Sequence, residues 1–261
     1  MAKLRQLFLI IALLPVCVMA QEEEPEPFTT DLFGGISAPD VMPKGRVQWE
    51  TYVGYTHSTM YDVKTDFWNI NSSLLRFGVI KNIELFMMGT LAHTNLEGEK
   101  ETGVADLSVG VKAKLFDGWK AIPSIGVRGF LYLPGGEDHP FMPEKCAYQV
   151  DLMFDNPITS WFDIGYMASL LWDDNESPTF YGGIDFNFTL SEKFALTLEQ
   201  ANFYLPPEYE KRYQPWASAT LTYQIHPRVQ LGITSDVFLE HISQYRNVML
   251  GVAWQLTKND N

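Results

Sequence analysis

From Arg46 almost to the C-terminus the hydrophobic period is two and never shifts to 3.6, which leaves strands as the available element. Twelve alternating runs are legible, at 46–57, 67–80, 83–92, 103–116, 121–133, 147–155, 160–172, 179–190, 194–204, 215–226, 229–238 and 247–257. In the first, Val47, Trp49, Thr51, Val53 and Tyr55 share a face opposite Gln48, Glu50, Tyr52 and Gly54. In the fourth, Ala105, Leu107, Val109, Val111, Ala113 and Leu115 oppose Asp106, Ser108, Gly110, Lys112 and Lys114. Connections after the odd-numbered runs are long, and those after the even-numbered runs are short. A meander with short turns at one end and long loops at the other is the layout of a transmembrane barrel. A soluble sandwich has no reason to sort its loops this way, although 46% hydrophobic residues would suit either.

Dimensions agree with a bilayer. Phe162 and Trp172 bracket the apolar face formed with Ile164, Tyr166, Ala168 and Leu170. Ten residues of strand cover ~33 Å. Tilted by ~40°, that gives a band about 25 Å tall between aromatic girdles. Trp49, Tyr55, Trp216, Tyr223 and Trp254 also fall near run ends. The fold class expected is therefore all-β, a single closed antiparallel up-and-down barrel of about twelve strands.

The N-terminus reads as a secretory leader over 1–20: Lys3 and Arg5, an apolar run from Leu7 to Val16 too short to span a bilayer, then Val18-Met19-Ala20. Val16 before Cys17 argues against lipidation there. Residues 21–45 form a lead-in, acidic and flexible in "QEEEPEP" and extended thereafter; 46–257 form the barrel, and 258–261 a tail. A net charge of −13 does not suit phosphate backbones, so no nucleic-acid partner is expected. Without Cys17 a single thiol, Cys146, remains, and it cannot form an internal disulfide.

Parity then sorts the charges. On the hairpin "NSSLLRFGVIKNIELFMMGT" at 71–90, Leu75, Phe77, Val79, Ile83, Leu85 and Met87 would face lipid. Arg76 and Glu84 would face the lumen with Leu74, Phe86 and Met88, within reach of each other across the turn. The candidate lumen-lining residues are Glu50, Arg76, Glu84, Asp106, Lys112, Arg128, Asp151, Asp185 and Glu199, with Lys114, Gln149, Asp155, Asp163 and Asp236 on the same parity. A charge costs roughly 2–4 kcal/mol on the lipid face at mid-bilayer and little in a wet or paired lumen. Carboxylates outnumber bases in this set, which favours cations or neutral polar solutes over anions if the lumen conducts. The other reading is a plug of buried ion pairs.

The chain also resembles the outer-membrane transporter family linked to the meta-pathway of phenol degradation. The likeness rests on Thr30-Asp31, on Pro43-Lys44-Gly45 leading into "RVQWETYVGY" with Glu50, and on Leu75-Arg76-Phe77-Gly78 followed by Ile83-Glu84-Leu85. It continues with Gly103 to Leu107 ending at Lys112, and with Leu133-Pro134-Gly135-Gly136. Leu32-Phe33 stand where the family carries Arg-Pro after Thr-Asp. The resemblance covers roughly 28 to 256 and implies an exported barrel that transports small molecules, with hydrophobic or aromatic compounds as the suggested cargo.

No catalytic constellation stands out. There is no Gly-x-Ser-x-Gly elbow, no His-Glu-x-x-His and no phosphate loop, so no catalytic residue, metal or cofactor is assigned. His57, His93, His139, His226 and His241 are expected in loops or at strand ends, and "DDNES" at 173–177 reads as a solvated acidic loop. Three functions stay open: a channel or transporter, a structural or adhesive barrel with a plugged lumen, and a barrel-embedded lipid hydrolase. Outer-membrane lipids, lipopolysaccharide and a small solute are the partners expected; oligomeric state is not legible.

Overall fold

The structure is a computed structural model and describes residues 28–257 apart from 61–62, 120–121, 137–138, 174–176, 208–211 and 242–243. The leader, the acidic run at 21–27, the centre of the 173–177 loop and the tail at 258–261 lie outside the described residues.

Twelve antiparallel strands close into one barrel in sequence order. They are β1 Val47–Met60, β2 Val63–Ile80, β3 Ile83–Leu96, β4 Glu99–Phe116, β5 Ser124–Tyr132, β6 Ala147–Thr159, β7 Phe162–Trp172, β8 Thr179–Thr189, β9 Phe194–Tyr204, β10 Tyr213–His226, β11 Val229–Phe238 and β12 Tyr245–Gln255. Closure comes from β1 pairing with β12, with Thr51 opposite Val252 and Tyr55 opposite Val248. No edge is left, so every strand amide in the membrane zone has a neighbour to bond, which hydrocarbon itself cannot supply.

The side chains divide as the period requires. Leu85, Val111 and Leu250 are about half exposed on the outer wall, at 50%, 45% and 54%. Leu74, Phe86, Met153, Met167 and Ala253 are buried inward. An apolar belt of this kind is the mark of a membrane-embedded barrel wall.

Two expectations are corrected. The connections after β1 and β3 are not long loops: β2 and β4 run for 18 residues each, and the β3–β4 turn is only Glu97-Gly98, both at positive φ. The polar residues there continue the ladder because each has a cross-strand partner, as Thr94 has Glu101 and Asn95 has Lys100. One wall of the barrel, β1 to β4, therefore stands taller than β5 or β7, which have 9 and 11 residues. His57 and His93 consequently lie within strands rather than loops.

The second correction concerns β4. The register slips between Met88 and Thr90 of β3 as they meet Ser108 and Ala105, and Asp106 takes φ +51. This bulge turns Ala105 inward, where it is buried, instead of leaving it on the lipid face with Val109. Asp106 itself keeps more solvent exposure than Ala105 or Ser108. The connections 133–146, 173–178, 205–212 and 239–244 lie at one end, and at the other the β4–β5 connection, 117–123, is longer than the short turn expected there. From the first of these, Phe141 reaches back to the Phe67 ring, with centroids 6.3 Å apart, and covers Gly103.

Candidate functional site

The lumen is occupied by the chain's own lead-in. Residues 28–45 adopt no regular element, so their backbone amides need partners from elsewhere. Lumenal carboxylates supply them. Glu50 accepts from the Asp31 and Leu32 amides at 2.9 and 2.8 Å. Glu199 accepts from Gly35 and Ile36 at 3.0 and 2.9 Å, and also from the Ser218 hydroxyl. Glu84 accepts from Met42 at 2.6 Å. In return the lead-in carbonyl of Thr29 accepts from Gln48 at 2.6 Å and from Arg76 at 3.1 Å.

Arg76 is the hub. Its guanidinium bonds Glu84 through Nε at 3.0 Å and Nη2 at 2.9 Å, and Glu50 through Nη1 at 3.1 Å. The expected Arg76–Glu84 pairing thus forms, diagonally, with Arg76 opposite Phe86 and Glu84 opposite Gly78. Asp31, projecting from the lead-in, joins the network. Lys112 Nζ bonds both its oxygens at 2.9 Å, with Arg76 at 3.4 Å and Arg128 at 3.8 Å. Burial opposes the charge on Asp31, but Arg76, Lys112 and Arg128 outweigh it and hold the carboxyl well below the usual carboxylate range. Arg128 is anchored by Asp151 at 2.7 Å and donates to the Ser37 hydroxyl at 2.9 Å. Lower down, Lys114 meets Asp40 at 2.8 Å.

Shape fits as well as charge. A Cβ on Gly232 would lie 2.8 Å from the Phe33 ring, and its three nearest atoms all belong to that ring. Gly251, its cross-strand partner, lies under the opposite edge of the same ring. Ile36 enters an apolar nest of Met153, Met167 and Ala201, flanked by Tyr181 and Trp216. Pro39 lies on Gly126, and the Pro43 carbonyl crosses where a Gly78 side chain would be. Thr29 and Met42 lie beside Gln48 and Glu84 near the end that bears the short turns, while Gly35 between them reaches Glu199 in the middle of β9, so the segment forms an inserted loop.

Eight of the nine candidate lumen residues, Glu50, Arg76, Glu84, Lys112, Arg128, Asp151, Asp185 and Glu199, lie buried within the barrel. Asp106, on its bulge, is more solvent-exposed than these but lies within electrostatic reach of Tyr52 and Tyr132. Asp185 does not touch the lead-in but accepts from the Gly165 amide at 2.7 Å and from Asn187 at 3.0 Å. Sequence reasoning missed Thr29, Asp31, Ser37, Asp40 and Met42 as lumen residues. The available signal was a surplus of inward carboxylates without enough cations to pair them.

Between the lead-in and the long-loop end lies a cavity of about 310 Å³. Asp31, Ser37 and Arg128 border it below, and Tyr52, Leu74, Phe86, Met88, Phe130 and Tyr132 form its wall. Phe86 and Phe130 meet edge-on at 4.8 Å, Phe130 and Tyr132 stack at 5.6 Å, and the Arg128 guanidinium sits 4.8 Å from the Phe130 centroid. The cavity is aromatic at its sides, its charged groups are already paired, and the Ser37, Tyr52 and Tyr132 hydroxyls add polar atoms to the lining.

Among the described residues no three His, Cys, Asp or Glu side chains gather as a metal site. On the outer wall His57 Nδ1 is bonded to Asp66 at 2.8 Å and His93 Nδ1 to Thr102 at 2.7 Å.

The family model described as "Putative MetA-pathway of phenol degradation" matches residues 30–261. The chain belongs to this family. The match begins at the lead-in, so the inserted segment and the barrel fall within one family unit. The fold is shared with the COG4313 outer membrane channel from Pseudomonas putida F1 at 10% identity and TM-score 0.67, over 84% of this chain and 98% of that one. The transport unit of the autotransporter AIDA-I from Escherichia coli is similar at 12% identity and TM-score 0.50, over 81% and 90%. No curated protein matches the chain. At these identities the likeness to solved structures concerns fold alone.

Proposed function

We propose that this protein is an outer-membrane channel, exported on its own leader, that admits small hydrophobic or aromatic molecules into the cavity above the lead-in. Its lipid-facing belt would sit among outer-membrane lipids and lipopolysaccharide, with the short turns and the lead-in on the periplasmic side. The observation that carries the reading is the cavity wall. Phe86, Phe130 and Tyr132 offer ring faces and edges, while the neighbouring Arg128 and Asp31 are engaged with Asp151 and Lys112. A polar solute finds few free partners there, whereas an aromatic one finds matching surface.

A second reading, a structural barrel stoppered by its lead-in, draws support from the depth of the ion-pair network around Arg76. Uptake into proteoliposomes separates the two. Neutral hydroxybenzyl alcohols are expected to enter, above the rate into empty liposomes, faster than sugar alcohols of similar mass, and Phe130→Ala with Tyr132→Ala is expected to reduce that preference severalfold. Entry no faster than into empty liposomes, for every solute and with residues 29–41 deleted as well, would overturn the channel. Entry only after the deletion would favour the stoppered barrel.

A further inference from the structure

The tall wall of β1 to β4, together with the adjoining β12, carries two aligned rows on its outer surface. One register row joins Val248, Tyr55, Trp68, His93 and Thr102 across five strands. Its rings touch: Tyr55 and Trp68 lie 5.2 Å apart, and Trp68 and His93 5.4 Å. Val248 and Tyr55 are exposed on the lipid face, which fixes the direction of the whole row. This is the girdle of the long-loop end.

Two residues further along each strand, away from the membrane centre, the next row joins Arg246, His57, Asp66, Asn95 and Lys100. That step is ~6.8 Å along the strand, or about 5 Å in height after tilt. Lys64 stands on the same face of β2, two residues beyond Asp66. Arg246, Lys100 and Lys64 are exposed, and none has an ion-pair partner among the described residues. The one acid in the row, Asp66, is held by His57 at 2.8 Å and by the Tyr55 hydroxyl at 2.7 Å.

The inner face of the same wall has the opposite sign. Glu99 and Glu101 of β4 share the inward parity of Gly103, which lies under Phe141, while Lys100 and Thr102 point outward. In a chain with a net charge of −13, three cations with no ion-pair partner among the described residues, on one outward strip directly above an aromatic girdle, are not a sample of the average surface. They face the level where headgroup phosphates lie. Four strand spacings separate Arg246 from Lys100, ~19 Å, so one ligand satisfying both must carry more than one anionic group.

We infer that this strip binds a multiply phosphorylated glycolipid of the outer leaflet, lipopolysaccharide. Arg246, Lys64 and Lys100 take its phosphates, and Tyr55, Trp68 and His93 lie along the boundary between its sugars and acyl chains. The inference rests on the proposed outer-membrane placement and adds a defined lipid site on one side of the barrel. That site would orient the protein and fix the height of its tall wall.

The test uses the full mature chain in phosphatidylcholine nanodiscs, titrated with lipopolysaccharide and read by native mass spectrometry. Wild type is expected to retain lipopolysaccharide, to lose it as salt is raised, and to retain the dephosphorylated lipid at least tenfold less well. Lys64→Glu, Lys100→Glu and Arg246→Glu together are expected to weaken retention at least tenfold. Lys193→Glu, in the turn at the opposite end, should change nothing. Heat-modifiable gel migration verifies that each variant is folded, and Lys100→Gln with Arg246→Gln serves if the charge reversals do not fold. Equal retention by wild type and either multiple variant, or by the phosphorylated and dephosphorylated lipids, would overturn the site. Either result would leave the channel reading intact, because insertion into phosphatidylcholine tests the barrel separately.

Discussion

Deleting residues 29–41 is expected to raise single-channel conductance in planar bilayers several-fold or more. In the intact chain this segment occupies the middle of the lumen, and it brings Asp31, Phe33 and Ile36 into contact with opposite sides of the wall. A twelve-stranded barrel is wide enough that, once emptied, its interior would hold water. The charges left behind would then be hydrated rather than stranded, so the barrel itself should survive. A gentler version tests the same contact. Gly232→Ala places a methyl group against the Phe33 ring, and should loosen the segment and raise conductance. Phe33→Ala removes the ring, so adding Gly232→Ala to Phe33→Ala should have little further effect. Additive effects of the two substitutions would mean that the ring and the glycine do not meet.

Arg76→Met is expected to destabilise the folded protein by about 3–5 kcal/mol, the usual consequence of breaking a buried ion pair from one side. Its guanidinium serves Glu84, Glu50 and Asp31 together, and all four side chains are shielded from water. Lys112 and Arg128 still reach Asp31, but neither is bonded to Glu50 or Glu84. Arg76→Lys should recover only part of the loss, because an ammonium cannot fork between two carboxylates. Urea titration of the vesicle-inserted protein, followed by heat-modifiable migration, gives the comparison. A shift below 1 kcal/mol for Arg76→Met would mean that the network is hydrated and contributes little.

Much of the fold was legible because a strand in lipid has to alternate. Arg76 and Glu84 interrupt apolar runs at positions that point inward, and both lie in the lumen. The height of the β1 to β4 wall was harder to read. Thr94, Asn95, Lys100 and Thr102 are polar on both faces, so the alternation fades although the ladder continues. The inward turn of Ala105 depends on one extra residue at Asp106, a local insertion that a strict period of two cannot show. The lead-in was the largest omission. Its backbone is satisfied by Glu50, Glu84 and Glu199, far from it in the chain, and aperiodic segments carry no signal of where such partners lie. The missing Arg-Pro of the family motif also has a structural reading here, since Phe33 fills the hollow formed by Gly232 and Gly251.

The most direct test of the inserted lead-in needs no substitution. A carbodiimide joins a carboxylate to an amine only when the two already touch, and Asp40 and Lys114 do so at 2.8 Å near the accessible end of the lumen. Treating the vesicle-inserted protein and sequencing its cross-linked peptides should recover an amide between Asp40 and Lys114. Recovery of Lys114 joined only to its neighbour Asp117, which is 3.1 Å away, with Asp40 left free to react with added amine, would place the lead-in outside the barrel.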